Sequence, residues 1–341
     1  MKNPMHYRNK LQYPIGLDNE GKPVMGVYAS RTHNIIPVGN CLIQNQECQN
    51  IANSIFEYVE ENNISVYDEK TLKGMLRHIV VKIGIKTNEI MVILVLNNQY
   101  KIDYLKLIEH ITKKYPNIKT IVKNINNKNT NVILGDKNEI IYGDGYIHDV
   151  LGEYKFKISA TSFYQTNPIQ TEILYNTAIN YIVGVDDSVH PDQIALDLYC
   201  GIGTIGIFAS KHFKKVYGIE INEQAIQDAK ENAKLNNISN IEFIQGDVGA
   251  APVSAQLAEL KPDVVFVDPP RKGLDNYTIE TLLNIQPKQI IYISCNPATL
   301  ARDIARLEEK YKLEQIQPID MFPYSKHVET VCLLTLQPAK K

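Results

Sequence analysis

Apolar residues between positions 42 and 59 recur at the spacing of one helix face, whereas residues 78–85 and 90–96 read as strands. A helix over 104–115 and a strand over 119–123 follow, then strand-like pieces at 139–142 and 155–159. Strands adjacent in sequence, mixed with two helices, predict a small α+β domain over residues 34–158. Ahead of it, Gly16, Gly21 and Gly26 punctuate strand-like pieces. They predict a hairpin extension over residues 1–33, expected to dock on the C-terminal domain.

From about Thr161 the rhythm becomes strand, loop, helix, repeated. Strands are predicted at 194–198, 215–220, 241–245, 264–267 and 289–294, with helices between them at 205–211, 223–235, 253–260 and 277–283. A further helix over 296–311 precedes two closing strands near 315–320 and 328–336. Such alternation predicts a Rossmann-like α/β domain over residues 159–341, built on a mostly parallel, doubly wound sheet of seven strands. Ligands of such sheets bind beyond the carboxyl ends of the strands, so chemistry is sought just after each strand.

Composition narrows the class. A chain of 341 residues, 44% hydrophobic and 22% charged, has room for two cores and no run long enough to cross a bilayer. The polar start Met1-Lys2-Asn3-Pro4-Met5-His6 does not read as a signal peptide. Cys41, Cys48, Cys200, Cys295 and Cys332 are odd in number, scattered, and free of any Cys-x-x-Cys pair; a reducing cytoplasm is expected. A net charge of −2 gives no support to nucleic-acid binding, so any RNA surface must be local. Candidate patches are Lys2, Arg8 and Lys10, Arg271 with Lys272, and Lys326 with His327, all of which also read as ordinary solvated charges.

The first loop of the C-terminal half is Asp197-Leu198-Tyr199-Cys200-Gly201-Ile202-Gly203-Thr204, whose glycines let the backbone turn tightly beside a ligand. Glu220 stands 19 residues beyond Gly201, where an acid can hold both hydroxyls of a ribose. Gly-x-Gly alone also suits a dehydrogenase, and Gly206 completes the G-x-G-x-x-G spacing of a dinucleotide fingerprint ahead of Phe208 and Ala209. A nucleoside cofactor such as S-adenosylmethionine is expected here rather than NAD, although the glycine spacing does not itself separate the two. Asp247, after the third strand, is placed either to meet an adenine amino group or to cap a helix.

Strand four ends in Asp268-Pro269-Pro270-Arg271-Lys272-Gly273, a loop that two prolines hold rigid. Strand five ends in Ser294-Cys295-Asn296-Pro297. Most cysteines are inert core residues, but Cys295 follows an apolar strand and precedes a helix N-terminus, which is expected to lower its thiol pKa.

These loops resemble those of the RNA uracil-5-methyltransferases, the TrmA and RumA group, most closely its large-subunit ribosomal RNA branch. The resemblance is carried by Ser162-Phe163-Tyr164-Gln165-Thr166-Asn167-Pro168, Asp197-Leu198-Tyr199-Cys200-Gly201, Asp268-Pro269-Pro270-Arg271 and Tyr292-Ile293-Ser294-Cys295-Asn296. Met321-Phe322-Pro323, His327-Val328-Glu329-Thr330-Val331 and His6-Tyr7-Arg8-Asn9-Lys10 add to it, so it spans nearly the whole chain.

The resemblance implies a class I methyltransferase in which the Cys295 thiolate attacks C6 of uracil, C5 takes the methyl group, and Glu329 removes the C5 proton. It assigns S-adenosyl-L-methionine to Gln165, Tyr199, Gly201, Gly203, Thr204, Glu220, Asp247 and Asp268, and the base to Phe163, Asp268 and Arg271. Phe163 would stack on a nucleotide turned out of its strand. Thr204 stands where some relatives have Asn, and without Cys295 the bland reading of Glu329 is a solvated strand-edge acid.

Many members acting on ribosomal RNA begin with a β-barrel module (TRAM) and a cysteine-rich segment holding an iron–sulfur cluster. Cys41, in Val38-Gly39-Asn40-Cys41, is similar to the last ligand of that cluster. One thiolate does not hold a four-cysteine cluster, so neither a cluster nor any other metal is expected in this chain. Within the family the expected partner is RNA, 23S ribosomal RNA ahead of the T-loop uridine of transfer RNA, with no membrane. Two other readings stay open at this level: an exocyclic-amine RNA methyltransferase, which needs no nucleophilic cysteine, and a non-catalytic RNA-binding factor.

Overall fold

Short loops and caps fix where each element starts. The structure is a computed structural model and describes residues 1, 3–97, 104–183 and 190–338. These fall into two compact units, one holding residues 3–150 and 157–161, the other residues 1, 151–156 and 162–338.

The first unit runs β1 Lys10–Leu17, β2 Pro23–Tyr28, β3 Ile35–Pro37, α1 Gln46–Glu61, β4 Leu76–Ile83, β5 Ile90–Leu96, α2 Tyr104–Lys114, β6 Ile118–Ile125 and β7 Lys137–Tyr142. Its sheet has the order β3-β2-β1-β4-β5-β6-β7, with β5 and β6 parallel and the other neighbours antiparallel. α1 starts four residues later than the periodicity predicts. The Asn45 side chain accepts from the backbone N–H of Glu47 (2.9 Å) and Cys48 (3.2 Å), which sets the first turn. From there Cys48, Ile51, Ala52, Ile55 and Val59 form one buried stripe on β4 and β1. The expected hairpin extension is not a separate element. β1 pairs with β4 from Lys10↔Lys82 to Pro14↔His78, so the first strands continue the sheet of this unit.

β8 Tyr146–Leu151 and β9 Tyr154–Ser159 pair as a two-stranded sheet. The second unit continues with α3 Pro168–Val183, β10 His190–Leu198, α4 Thr204–Ala209, β11 Phe213–Glu220, α5 Glu223–Leu235, β12 Ile241–Gln245, α6 Ala251–Glu259 and β13 Val264–Val267. It closes with α7 Asn276–Ile285, β14 Gln289–Ser294, α8 Pro297–Leu307, β15 Tyr311–Ile319 and β16 Glu329–Leu336. Its seven strands lie in the order β12-β11-β10-β13-β14-β16-β15. β10 to β14 pair in parallel, and β16 runs antiparallel to both β14 and β15.

β13 and most of β14 are buried throughout, as parallel strands covered on both faces must be. The helix expected to reach residue 311 stops at Leu307. Tyr311 instead opens β15, buried, with its hydroxyl donating to Pro287 O at 3.0 Å. The order of strands reverses where β10 lies between β11 and β13, and the crevice beyond those strand ends is where such a sheet takes its ligand.

Candidate active site

Beyond the carboxyl ends of β10, β11, β12, β13 and β14 lies a cavity of about 650 Å³, within the size range of cofactor pockets. Of the residues expected to form a site, Phe163, Gln165, Tyr199, Gly201, Glu220, Asp247, Asp268, Arg271, Cys295 and Glu329 all line it. Gly203 and Thr204 do not. Gly203 sits below the wall with φ +82°, and a Cβ there would lie 2.8 Å from the Phe243 ring. Thr204 is turned toward α3, its hydroxyl 3.0 Å from that of the buried Tyr175.

The loop after β10 owes its shape to left-handed backbone at Tyr199 (φ +64°), Gly201 (φ +54°) and Gly203, which costs little at glycine and strains the tyrosine. The Tyr199 hydroxyl is 3.0 Å from that of Thr278, which helps hold the strained residue. Gly201 N–H donates to Glu220 (3.2 Å), whose other oxygen accepts from Asn222 N–H (2.8 Å). The carboxylate at the end of β11 is thereby fixed at the cavity wall. A Cβ on Gly201 would meet nothing within 4 Å, so its backbone faces open space. Asp247 does not cap α6, whose N-cap is Ala250. It accepts only from Gly249 N–H (3.0 Å) and remains exposed on the cavity wall.

The two proline-bearing loops are tied together. Asn296 caps α8 by accepting from Ala298 N–H (3.1 Å) and donates its amide to Arg271 O (3.2 Å). Thr299 donates to the same carbonyl (3.3 Å), and Arg302 donates to Lys272 O (2.8 Å). Under them the fully buried Asp303 accepts from Leu274 N–H (2.7 Å) and from the Tyr292 hydroxyl (2.8 Å). Gly273 (φ +75°) is required there, because a Cβ would lie 2.4 Å from Asp303.

Register brings the two proposed reacting groups together. Ser294 is paired with Thr330 across the antiparallel β14–β16 ladder, so Cys295, the next residue, faces Glu329, the one before. Glu329 is 3% exposed, and its Oε2 has no hydrogen-bond partner. Burial, reinforced by the charge of Asp268 and opposed by Arg271, pushes its carboxyl up to about 8. Burial also raises Asp268 to about 7. Asp197 beneath them rises to about 8 through burial, with Asp268 and Glu220 adding to it against the N–H of Gly206.

Cys295 differs from its expectation. Burial raises its thiol, with Glu329 and Asp268 adding to the shift, and Arg271 and a backbone N–H only partly offset this. The neighbouring carboxylates and desolvation outweigh the start of α8.

Five carboxylates line the cavity (Glu220, Asp247, Asp268, Asp275 and Glu329) against two cations, Arg271 and Lys272. Ile221 and Val248 are wall residues that motif reading passed over, although each directly follows a strand-end acid. Asp275 was hidden in the same way by its role as the cap of α7. Of the basic patches, Arg271 and Lys272 reach the cavity, His327 lies close enough to Arg271 for that charge to help lower its pKa after burial, and Lys326 is exposed. Arg8 and Lys10 belong to the other unit, and Lys2 lies outside the described residues. Among the described residues no group of His, Cys, Asp or Glu is arranged to hold a metal ion, and no helix is long and apolar enough to cross a membrane.

The strand order and the position of this cavity define a Rossmann-like methyltransferase. The profile of the tRNA (uracil-5-)-methyltransferase family matches residues 6–337, and the chain belongs to that family. A relative from Staphylococcus aureus (strain MRSA252), described as an uncharacterized RNA methyltransferase, is 44% identical over 337 residues, 99% of this chain and 73% of its own. A relative of the same description from Halalkalibacterium halodurans is 43% identical over 338 residues, 99% of this chain and 72% of its own. Among solved structures, the Pyrococcus abyssi tRNA (uracil-54, C5)-methyltransferase in complex with S-adenosyl-L-homocysteine superposes with a TM-score of 0.79. Identity is 30%, over 97% of this chain and 76% of that one. The chain is thus an RNA methyltransferase by family and by fold.

Proposed function

We propose that the protein methylates C5 of a uridine in RNA through a covalent bond between Cys295 and C6 of the base. The observation that carries this is the facing pair Cys295 and Glu329, opening into the one cavity that also presents Glu220 and Asp247. Glu220, Asp247 and Asp275 on the cavity wall suit a cationic ligand. The open backbone at Gly201 and the exposed carboxylate of Asp247 suit its nucleoside end. S-adenosyl-L-methionine fits these residues, and when bound it supplies a methyl group made electrophilic by its sulfonium charge. Glu220 holds the ribose, Asp247 the adenine edge, and Gln165, Tyr199 and Asp268 the remainder.

The exposed Phe163 ring stacks on the turned-out base, and Arg271 and Asp268 hold its polar edge. Cys295 Sγ adds to C6 and places electron density at C5, which is otherwise a poor nucleophile. Glu329 then accepts the proton of the methylated C5, and departure of Sγ restores the ring. An exocyclic-amine methyltransferase has no use for a thiol and a buried acid facing one another.

The proposed target is a uridine of large-subunit ribosomal RNA, on the resemblance of the Cys41 segment and of Asp320-Met321-Phe322-Pro323 to that branch. The second reading, the T-loop uridine of transfer RNA, is favoured by the similarity to the Pyrococcus abyssi enzyme. Mapping 5-methyluridine in ribosomal and transfer RNA, from cells with and without the gene, decides between them. Loss of the mark in neither RNA would overturn both.

Glu220→Ala should weaken S-adenosylmethionine binding by roughly 10- to 150-fold, the scale of losing hydrogen bonds to a charged acceptor. Titration calorimetry checks this, and an unchanged Kd would mean that β11 does not carry the ribose site.

The raised acids also set a pH dependence. Glu329 must be ionised to take a proton, and in the free enzyme it holds its own up to about 8. Cys295 is likewise shifted toward its protonated form. kcat/KM should therefore rise with pH through neutrality and past about 8. Arg271→Met removes the cation that lowers both groups and should move the rising limb to higher pH. A flat profile between about pH 6 and about 9 in the wild type would contradict the assignment.

A further inference from the structure

The first unit carries a pocket of its own that the proposed chemistry does not use. It holds about 100 Å³ between the end of β1, the end of β2, the start of β4 and the loop after Val66. A space of that size admits one small ring and no folded partner.

Two neighbouring residues of β4 floor it. Arg77 (4% exposed) and His78 (5% exposed) are deeply buried, and each keeps a buried nitrogen without any partner, Arg77 Nε and His78 Nδ1. The rest of Arg77 is fixed: its Nη1 donates to Asn126 O (2.7 Å) and Lys128 O (2.9 Å), and its guanidinium lies over the Tyr67 ring at 4.2 Å. Burial, and after it the charge of Arg77, lowers His78 to about 4, so its ring is neutral and offers both a donor and an acceptor. Unpartnered buried nitrogens carry a desolvation cost, which makes the floor of this pocket polar and unsatisfied.

The mouth is aromatic. Tyr28 stands edge-on to His33 (centroids 5.9 Å apart) and to His78 (6.5 Å). Its hydroxyl donates to Glu69 (2.9 Å), and the same carboxylate holds His33. The pocket therefore presents ring faces and edges, a buried guanidinium nitrogen, a neutral imidazole and a carboxylate. Asp68 and Glu69 in its wall are balanced by Lys70 and Arg77, so the lining has no excess of positive charge to select a phosphate. A neutral, planar group with hydrogen-bonding edges fits it.

We propose that the pocket bounded by Tyr28, His33, Arg77 and His78 takes one unstacked nucleobase of single-stranded RNA, a second base site separate from that of the target uridine. Single-stranded RNA is read in this way, by bases splayed onto aromatic and guanidinium surfaces. The inference rests on RNA being the substrate, but its test reads binding alone and needs neither methyl transfer nor the correct target uridine.

Fluorescently labelled nine-nucleotide RNAs with four cytidines on each side of a central A, C, G, U or abasic position, and one wholly abasic nine-mer, serve as probes. Tyr28→Ala and His33→Ala, both at the exposed mouth and therefore compatible with folding, are compared with the full-length wild type by anisotropy. The expected result is a loss of roughly 5- to 100-fold in affinity for at least one base-bearing probe, with the wholly abasic probe bound as in the wild type. Arg77→Lys should keep the charge and weaken the same probe. Unchanged binding of every probe by the mouth variants would overturn the proposal. So would an equal loss on the wholly abasic probe, which would mark a backbone site instead. S-adenosylmethionine binding by calorimetry should be unchanged in these variants, whereas failure of the proposed reaction would appear in methylation assays without altering the anisotropy series.

Discussion

Cys295→Ala should abolish methyl transfer to RNA, lowering kcat by on the order of 10⁴-fold or more, the scale of losing a covalent nucleophile. Its affinity for S-adenosylmethionine should stay within a few fold, because the residues assigned to the cofactor are held by other contacts. Glu220 is fixed by Gly201 and Asn222, and Tyr199 by Thr278. The fold should survive as well, since Cys295 is only half-buried and Asn296 supplies the cap of α8. The remaining cysteines make the control. Cys41 is half-buried, and its removal should leave turnover intact. Cys48, Cys200 and Cys332 are buried among apolar neighbours, so replacing them should cost stability through cavities rather than chemistry. A methylation time course on RNA, read beside a melting curve for each variant, separates the two kinds of loss. Turnover by Cys295→Ala at wild-type rate would end the covalent mechanism.

The order of elements in the second unit was legible because β10 to β14 are apolar runs separated by amphipathic helices, and parallel topology follows from that alternation. The loops were legible because the acids, prolines and cysteine stand directly after strands. α3 was missed for a physical reason. Ile169 and Ile173 are exposed while Leu174, Tyr175, Ala178 and Ile179 are buried, so no single apolar stripe marks the helix. β8 was missed because Asp149 points inward between Ile147 and Leu151. There it accepts from Lys86 N–H (2.9 Å), and this polar residue breaks the alternation that a strand would show.

The placement of Thr204 against Tyr175 depends on α3, so it was out of reach once that helix was unseen. The sign of the Cys295 shift was out of reach too. A helix start is visible in sequence, but the burial and the facing carboxylates that outweigh it come from strands distant in sequence.

Glu329→Gln should separate the step that Cys295 performs from the step assigned to the acid. The amide keeps the size and much of the hydrogen-bonding reach of the carboxyl but cannot take a proton from C5. The variant should still add to C6 and methylate C5, then stall with RNA attached through Cys295. A denaturing gel should show a slower, RNA-bearing protein band that Cys295→Ala never gives, and the double variant should lose it.

The substitution should also leave the fold intact and stabilise it at high pH, and the sign can be worked out. Between the ordinary value of 4.5 and about 8, the unfolded chain gives up the Glu329 proton while the folded protein retains it. Folding stability therefore falls as pH rises through that window, by an amount set by the shift. Glutamine removes this penalty, so the melting temperature of Glu329→Gln should exceed that of the wild type at about pH 8 and converge with it in acid. Normal turnover without an adduct would assign the proton transfer to another group. A raised melting temperature in that same variant would then leave Glu329 as a buried acid that is costly to ionise and idle in the reaction.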